Sequence, residues 1–235
     1  WVDVPAIGAA GSAAAAVLHP LVHANDSDVF EAVYRSRFET SSVLPVAQPL
    51  VHLEMARYAC ARSLRASDAV SLRDVLWSRP LEFARATAAP LEMLIRVLPD
   101  DERSARFELV SRDHGGAETV YSQGTMSAGA ESAAPFDLGA LLTDTEHGAD
   151  GAGEPLAANG MQVLSTLRAS RAGSTPFVLA KIDTPPTEQD TYGLSPTVLE
   201  GVLQAASALD SRSEPTPAAS NDLQPQSLAA LLLHA

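Results

Sequence analysis

The chain has 235 residues, which permits one large domain or two small ones with a substantial buried core. Hydrophobic residues make up 46% of it, which excludes a disordered polymer, while aromatics are only 5%, so the core is expected to be built from Ala, Val and Leu. The formal charge of −13, with no basic stripe, excludes a nucleic-acid binder and argues against an anionic membrane surface.

Residues Trp1 to Val17 are rich in Ala and Gly and lack a basic leader, so they do not read as a signal peptide, and a chain that opens on Trp reads as a piece of something longer. Residues 1–28 form an irregular entry around His19-Pro20-Leu21-Val22-His23. Val29 to Phe38 alternates, with Phe30, Ala32, Tyr34, Ser36 and Phe38 on one side, as a half-buried strand does. After a loop, a helix is expected from Pro49 to about Arg65, with Leu50, Leu53, Ala56, Cys60 and Leu64 inward. Cys60, the lone cysteine, can form no disulfide within the chain, which fits a reducing, cytoplasmic compartment; in this apolar setting it reads as a buried, inert thiol. Strands are expected at Val70–Phe83 (broken near Pro80), Leu91–Leu98, Ala105–Ser111 and Glu118–Met126. A helix followed by such a meander calls for a sheet wrapped around the helix, because each has one apolar face to bury.

Residues 128–155 are rich in Gly, Ala, Asp and Ser and read as a linker with a short helix near Phe136–Leu142. The expected organisation is therefore a first half over 1–130, a linker over 131–155 and a second, incomplete half over 156–235. In the second half, Gln162–Ser170, Pro176–Ile182 and Leu228–Leu233 are strand-like, and Thr184–Asp190 is a Pro-rich loop. Between them lies a helix from Ser195 to about Leu209. Ser195 is a good N-cap and Pro196 sits at the first helical position. Leu199, Val202, Leu203 and Ala206 share an apolar face, and Glu200 and Gln204, four residues apart, are neighbours on another. On pattern alone those two are surface residues. No apolar run is long enough to span a bilayer, and no metal-ligand spacing, phosphate loop or nucleophile elbow is present. His19 and His23 do not make a metal pair, since Pro20 forbids a helix there. Asp100-Asp101-Glu102-Arg103 reads as a solvated turn.

Three stretches resemble the dehydratase domains of polyketide synthases, notably those of trans-acyltransferase assembly lines. His19-Pro20-Leu21-Val22-His23-Ala24-Asn25-Asp26-Ser27 resembles their opening. Leu53-Glu54-Met55-Ala56-Arg57-Tyr58-Ala59 resembles the start of their first hot-dog helix. Tyr192 to Ala206 is similar to their second-half motif, Tyr-Gly-Leu-His-Pro followed by an Asp and, later, a Gln or His. The resemblance covers most of residues 18–209 and implies an α+β double hot-dog, each half an antiparallel sheet around a central helix. Dehydratases of this kind remove water from a β-hydroxyacyl thioester with a His base and an Asp acid held protonated by burial.

The departures bear on activity. The family's His lies in a His-x-x-x-Gly-x-x-x-x-Pro loop before the first helix. Here Phe38 to Pro49 contains no histidine and no glycine and is shorter, and the histidine's slot falls near Glu39. Glu200 takes the Asp slot and Ser195 that of the His in Leu-His-Pro. Gly160-Met161-Gln162-Val163-Leu164-Ser165 stands in place of Gly-x-x-Tyr-Gly-Pro. The resemblance thus puts Glu200, with His52 as the nearest histidine, on the catalytic slots, and Gln204, Ser195, Val163 and Pro49 on the substrate-lining ones. His52 reads either as a displaced base or thioester-orienting donor, or as a partly buried histidine near a helix N-terminus with its pKa lowered.

Three expectations follow. The first is a non-dehydrating domain that positions an acyl carrier protein and its acyl thioester beside a ketosynthase, as in Michael-type β-branching. The second is an active dehydratase, isomerase or cyclase using Glu200 with His52. The third is a scaffold whose tunnel is plugged by Val163, Leu164 or Val43. No cofactor and no metal are expected, the substrate arriving on the carrier protein's phosphopantetheine arm. No nucleic acid or membrane partner is expected; many dehydratases of this family pair, and the resemblance leaves a homodimer open.

Overall fold

The structure is a computed structural model, and it describes residues 17–38, 48–66, 70–79, 91–112, 116–129, 137–147, 164–170, 177–210 and 226–233. Its first half is built on strands β1 (Ala24–Asn25) and β2 (Ala32–Phe38), helix α1 (Gln48–Leu64), and strands β3 (Val70–Trp77), β4 (Leu91–Pro99), β5 (Ser104–Arg112) and β6 (Glu118–Ala128). After these come helix α2 (Leu138–His147), which falls inside the expected linker, strands β7 (Leu164–Ser170) and β8 (Phe177–Ile182), helices α3 (Pro186–Gln189) and α4 (Pro196–Asp210), and strand β9 (Ser227–Leu233).

Seven strands form one antiparallel sheet in the order β1-β2-β4-β5-β6-β3-β9, and β7 and β8 pair as a second. The larger sheet wraps α1, which packs against β3, β4, β5 and β6. Period-2 alternation supplies the inner surface: Tyr34 and Phe38 from β2, Met93, Ile95 and Val97 from β4, Ala105, Phe107 and Leu109 from β5. Leu50, Leu53, Met55, Ala56, Ala59 and Cys60 of α1 fill the space beneath. From Pro49 to Ala56 every residue of α1 is buried, so the helix has no solvent side over that stretch. Such a helix belongs at the centre of a core.

Two bulges shape the end of the sheet that faces the first turn of α1. In β3 the register against β6 shifts between Arg73 and Leu76, and Asp74 takes a positive φ of 51°. The inserted residue changes the strand's parity, so Val70 and Leu72 before it and Val75 and Trp77 after it all face inward. In β6, Val120 pairs with Val110 and Ser122 with Leu109, which leaves Tyr121 as the extra residue. Close packing is needed a step further along β6, where a Cβ on Gly124 would lie 2.9 Å from Phe107 Cζ.

The structure differs from the sequence-based expectations at two edges of the sheet. Val29 and Phe30 do not extend β2; they are 90% and 94% exposed at a turn. The Asp28 carboxylate accepts from the backbone N–H groups of Phe30 (2.7 Å) and Glu31 (2.9 Å), and this local capture overrides the alternation. Strand β9 does not pair with β7 or β8 but with β3 of the larger sheet, Leu72 opposite Leu231. The chain therefore returns from its second half to close the edge of its first.

Candidate functional site

Helix α4 begins as the residues dictate. Ser195 Oγ accepts from Val198 N–H (3.2 Å), Ser195 C=O takes the first helical bond from Leu199 N–H (3.0 Å), and Pro196 opens the helix. A second group completes the cap. Glu188, on α3, accepts from Ser195 Oγ–H (2.5 Å), from Thr197 N–H (3.2 Å) and from Thr197 Oγ1–H (2.9 Å). A carboxylate at a helix N-terminus meets the unsatisfied N–H groups and the positive end of the dipole. Ser195, assigned by resemblance to a substrate-lining slot, is thus held by capping bonds on both sides of its oxygen.

The buried face of α4 is not the one that hydrophobic spacing suggests. Val202 is 51% exposed. Thr197, Glu200 and Gln204, one helical turn apart, are buried instead, with Leu199 beside them. Gln204 Nε2–H donates to Glu200 Oε1 at 3.1 Å. Gly201 allows this orientation: a Cβ there would lie 2.7 Å from Ile182 Cδ1, so α4 rests directly on β8. The other flank of α4 meets α1. Glu200 and Gln204 are thus interior groups, which corrects the surface reading.

On α1, His52 and Glu54 are two residues apart and so point about 200° from one another around the helix. His52 faces the sheet. It is 1% exposed, and its ring lies edge-on to Tyr121 of β6 with centroids 6.5 Å apart. Among the described residues neither ring nitrogen has a hydrogen-bond partner. Burial lowers its pKa to about 4, so the ring is neutral at physiological pH. Pro49 begins the same turn, buried, and its C=O accepts from Trp77 Nε1–H at 2.7 Å.

Glu54 faces the turn before α4, and nothing in the spacing of α1 singles it out as a functional residue. Its fully buried carboxylate accepts from Arg57 Nε (2.6 Å) and Nη2 (2.8 Å), and from the backbone N–H groups of Gly193 (3.0 Å) and Leu194 (2.8 Å). His19 Nε2 stands 3.2 Å from its Oε1; His19 Nδ1 accepts from Leu21 N–H, which leaves Nε2 as the donor toward Glu54. The His19 ring also stacks on Tyr58 and meets Tyr192 edge-on. Burial alone would push the Glu54 carboxyl up. Hydrogen bonds from Arg57 and His19, the Arg57 charge and the Gly193 N–H outweigh it and hold the carboxyl below its ordinary value. Gly193 is needed here, since a Cβ would overlap the Arg57 guanidinium.

The remaining groups are placed as follows. His23 Nδ1 accepts from Arg37 N–H, and its Nε2 bonds Pro20 C=O, so it braces the entry turn. Cys60 is buried and its pKa is pushed up to about 12 by burial, an unreactive thiol. Val163 and the 39–47 loop that would carry the base lie outside the described residues. Among those residues no group of three His, Cys, Asp or Glu side chains is placed to hold a metal, and no helix is long and apolar enough to cross a membrane.

No family model matches the chain. It is 30% identical over 142 residues to the polyketide synthase PksM of Bacillus subtilis, covering 53% of this chain, and 27% identical over 230 residues to PksN of the same organism, covering 88%. The chain spans only 3% and 4% of those two proteins. Among solved structures it is similar to a trans-acyltransferase polyketide synthase dehydratase domain from Brevibacillus brevis, with 25% identity and a TM-score of 0.65 over 92% of this chain and 81% of that one. The chain is dehydratase-like, and its α+β fold is the double hot-dog.

Proposed function

We propose, from this dehydratase-like double hot-dog domain as premise, that the chain is part of a modular polyketide synthase and positions a carrier-protein-bound acyl thioester without dehydrating it. A neighbouring ketosynthase would then carry out the covalent step, of which Michael-type β-branching is the form this reading favours. The observation that carries the reading is the state of the base. The loop over 39–49 contains no histidine. The nearest one on α1, His52, is neutral with a pKa near 4 and faces the sheet at Tyr121 of β6. An imidazole that gives up its proton so readily is a weak base at neutral pH. The carboxylate slot is kept, and its partner is lost.

One observation favours the alternative, an active isomerase, cyclase or dehydratase that uses Glu200. Glu200 is 1% exposed, so its carboxyl lies in the interior and away from solvent. Mass spectrometry of carrier-protein-bound β-hydroxyacyl and enoyl chains separates the two. The domain is incubated with them alone and with its neighbouring ketosynthase. The positioning reading expects no loss of water with the domain alone and chain modification only with the ketosynthase present; water loss by the isolated domain overturns it. A product pattern unchanged by Glu200→Ala would remove the alternative.

A further inference from the structure

Two side chains at one end of the core carry polar atoms with no protein partner. These are the His52 ring, at both nitrogens, and the Ser122 hydroxyl, and both residues are buried with no hydrogen-bond partner among the described residues. The buried side-chain nitrogens His19 Nε2, Arg35 Nε and Arg96 Nε differ, because each faces a carboxylate. A buried donor left unmade keeps its full desolvation cost, so a fold retains one where something else meets it.

His52 and Ser122 belong to the same corner. Ser122 pairs across the ladders with Trp77 on one side and Leu109 on the other, and it shares their inward face. Trp77 reaches from there to the C=O of Pro49, three residues before His52. Tyr121, the bulged neighbour of Ser122, lies edge-on to the His52 ring. The bulges of β3 and β6 are what turn Trp77 and Tyr121 toward the first turn of α1. Two irregularities of the sheet therefore bring Trp77 and Tyr121 to the first turn of α1, with Ser122 beside both in the ladder.

We propose that His52 and Ser122 are a donor pair for the carbonyl oxygen of an acyl thioester bound at the first turn of α1. The inference rests on the acyl-thioester reading above and names positioning residues for it. The chemistry selects an uncharged oxygen. A neutral imidazole offers one N–H and a hydroxyl offers one O–H, and a carbonyl oxygen has two lone pairs to accept both. Trp77, Tyr121 and Leu109 supply no countercharge, so a carboxylate seated here would remain an uncompensated buried charge. The lowered pKa of His52 agrees with a role as donor rather than base.

The test uses the 235-residue chain with two small probes, S-butyryl-N-acetylcysteamine and its thioether analogue S-butyl-N-acetylcysteamine, which lacks the carbonyl. Dissociation constants and the imidazole 15N shifts of His52 are measured by NMR in the wild type and in His52→Phe and Ser122→Ala. The proposal expects the thioester to bind about tenfold more tightly than the thioether, the preference that one to two hydrogen bonds confer. It expects the His52 15N signals to move with saturation, and either substitution to remove most of the preference. Equal binding of the two probes, or a preference that survives both substitutions, overturns it. Binding of a carrier-protein-bound chain is run alongside. If that persists while the preference is absent, only the donor pair fails; if it is absent too, the positioning function fails with it. The melting temperature of His52→Phe at pH 7 is a second readout. It should hold or rise, because an unmet donor is removed, and a fall of several degrees would show the imidazole to be structural and sink the proposal.

Discussion

At His52, burial fixes the protonation state before any chemistry begins. Its pKa falls from 6.5 to about 4 on folding. The unfolded chain therefore binds a proton below pH 6.5 that the folded chain refuses until about pH 4, and stability falls as pH drops through that window. Each pKa unit corresponds to about 1.4 kcal/mol, so roughly 3 kcal/mol of stability is lost between neutrality and pH 4. Glu54 acts in a lower window. Its folded pKa lies below the ordinary value, so its contribution is complete above the unfolded pKa of 4.5 and is lost as pH falls through the folded one. Urea denaturation from pH 4.5 to 7 separates the two. His52→Phe should flatten most of the slope between pH 5 and 6.5, whereas Glu54→Gln should leave that slope as it is and lower stability throughout. An unchanged slope in His52→Phe would contradict a buried neutral imidazole.

Among the elements, α4 depends on a glycine that helix propensity would reject. Gly201 costs about 1 kcal/mol relative to Ala in an exposed helix interior. Here a Cβ would meet Ile182 at 2.7 Å from Cδ1 and 2.8 Å from Cγ1, so Gly201→Ala gains propensity and loses packing. We expect a net destabilisation of about 1–2 kcal/mol in the wild-type background. In an Ile182→Ala background the same substitution should become neutral or stabilising, a coupling that a double-mutant cycle by chemical denaturation reads directly. Additive effects would mean that α4 does not rest on β8 through this residue. The same helix shows what a single sequence could reveal. Its start was legible, because Ser195 and Pro196 are local signals. Its buried face was not, because Glu200 and Gln204 look like solvent residues until Gly201 is seen to press α4 onto β8 and α1 closes the other side. The strands β4 and β5 were legible to within a residue, since alternation is local too. The turn at Val29–Phe30 was not, because one Asp28 carboxylate decides it.

For the molecule as a whole, the two halves are joined by contacts that no local pattern announces. Glu54 grips the backbone of Gly193 and Leu194 across 139 and 140 residues of chain, and β9 closes the edge of β3. Neither partner can be read from the spacing of either segment, although the pattern of extended segments around one helix in each half can. The Glu54 grip is also what places Glu200, because Leu194 leads directly into the α4 cap at Ser195. Removing it should act unequally on the two halves. In Glu54→Ala, Arg57 loses its buried carboxylate and two amides lose their acceptor, a change of the kind that costs about 3–5 kcal/mol. The sheet around α1 keeps its own ladder and core, whereas α4 keeps only its own hydrogen bonds, its cap and its packing on β7, β8 and α1. Hydrogen exchange read by mass spectrometry should therefore show peptides over 193–206 exchanging about 100-fold faster or more in Glu54→Ala, with peptides over β4 and β5 changing far less. Uniform acceleration across both regions would mean that the halves open as one unit and that Glu54 is a core residue like any other. Selective opening of α4 would make the Glu54 clasp the hinge on which the carboxylate slot depends, and would predict that thioester handling and α4 protection fail together along a series of Glu54 and Arg57 variants.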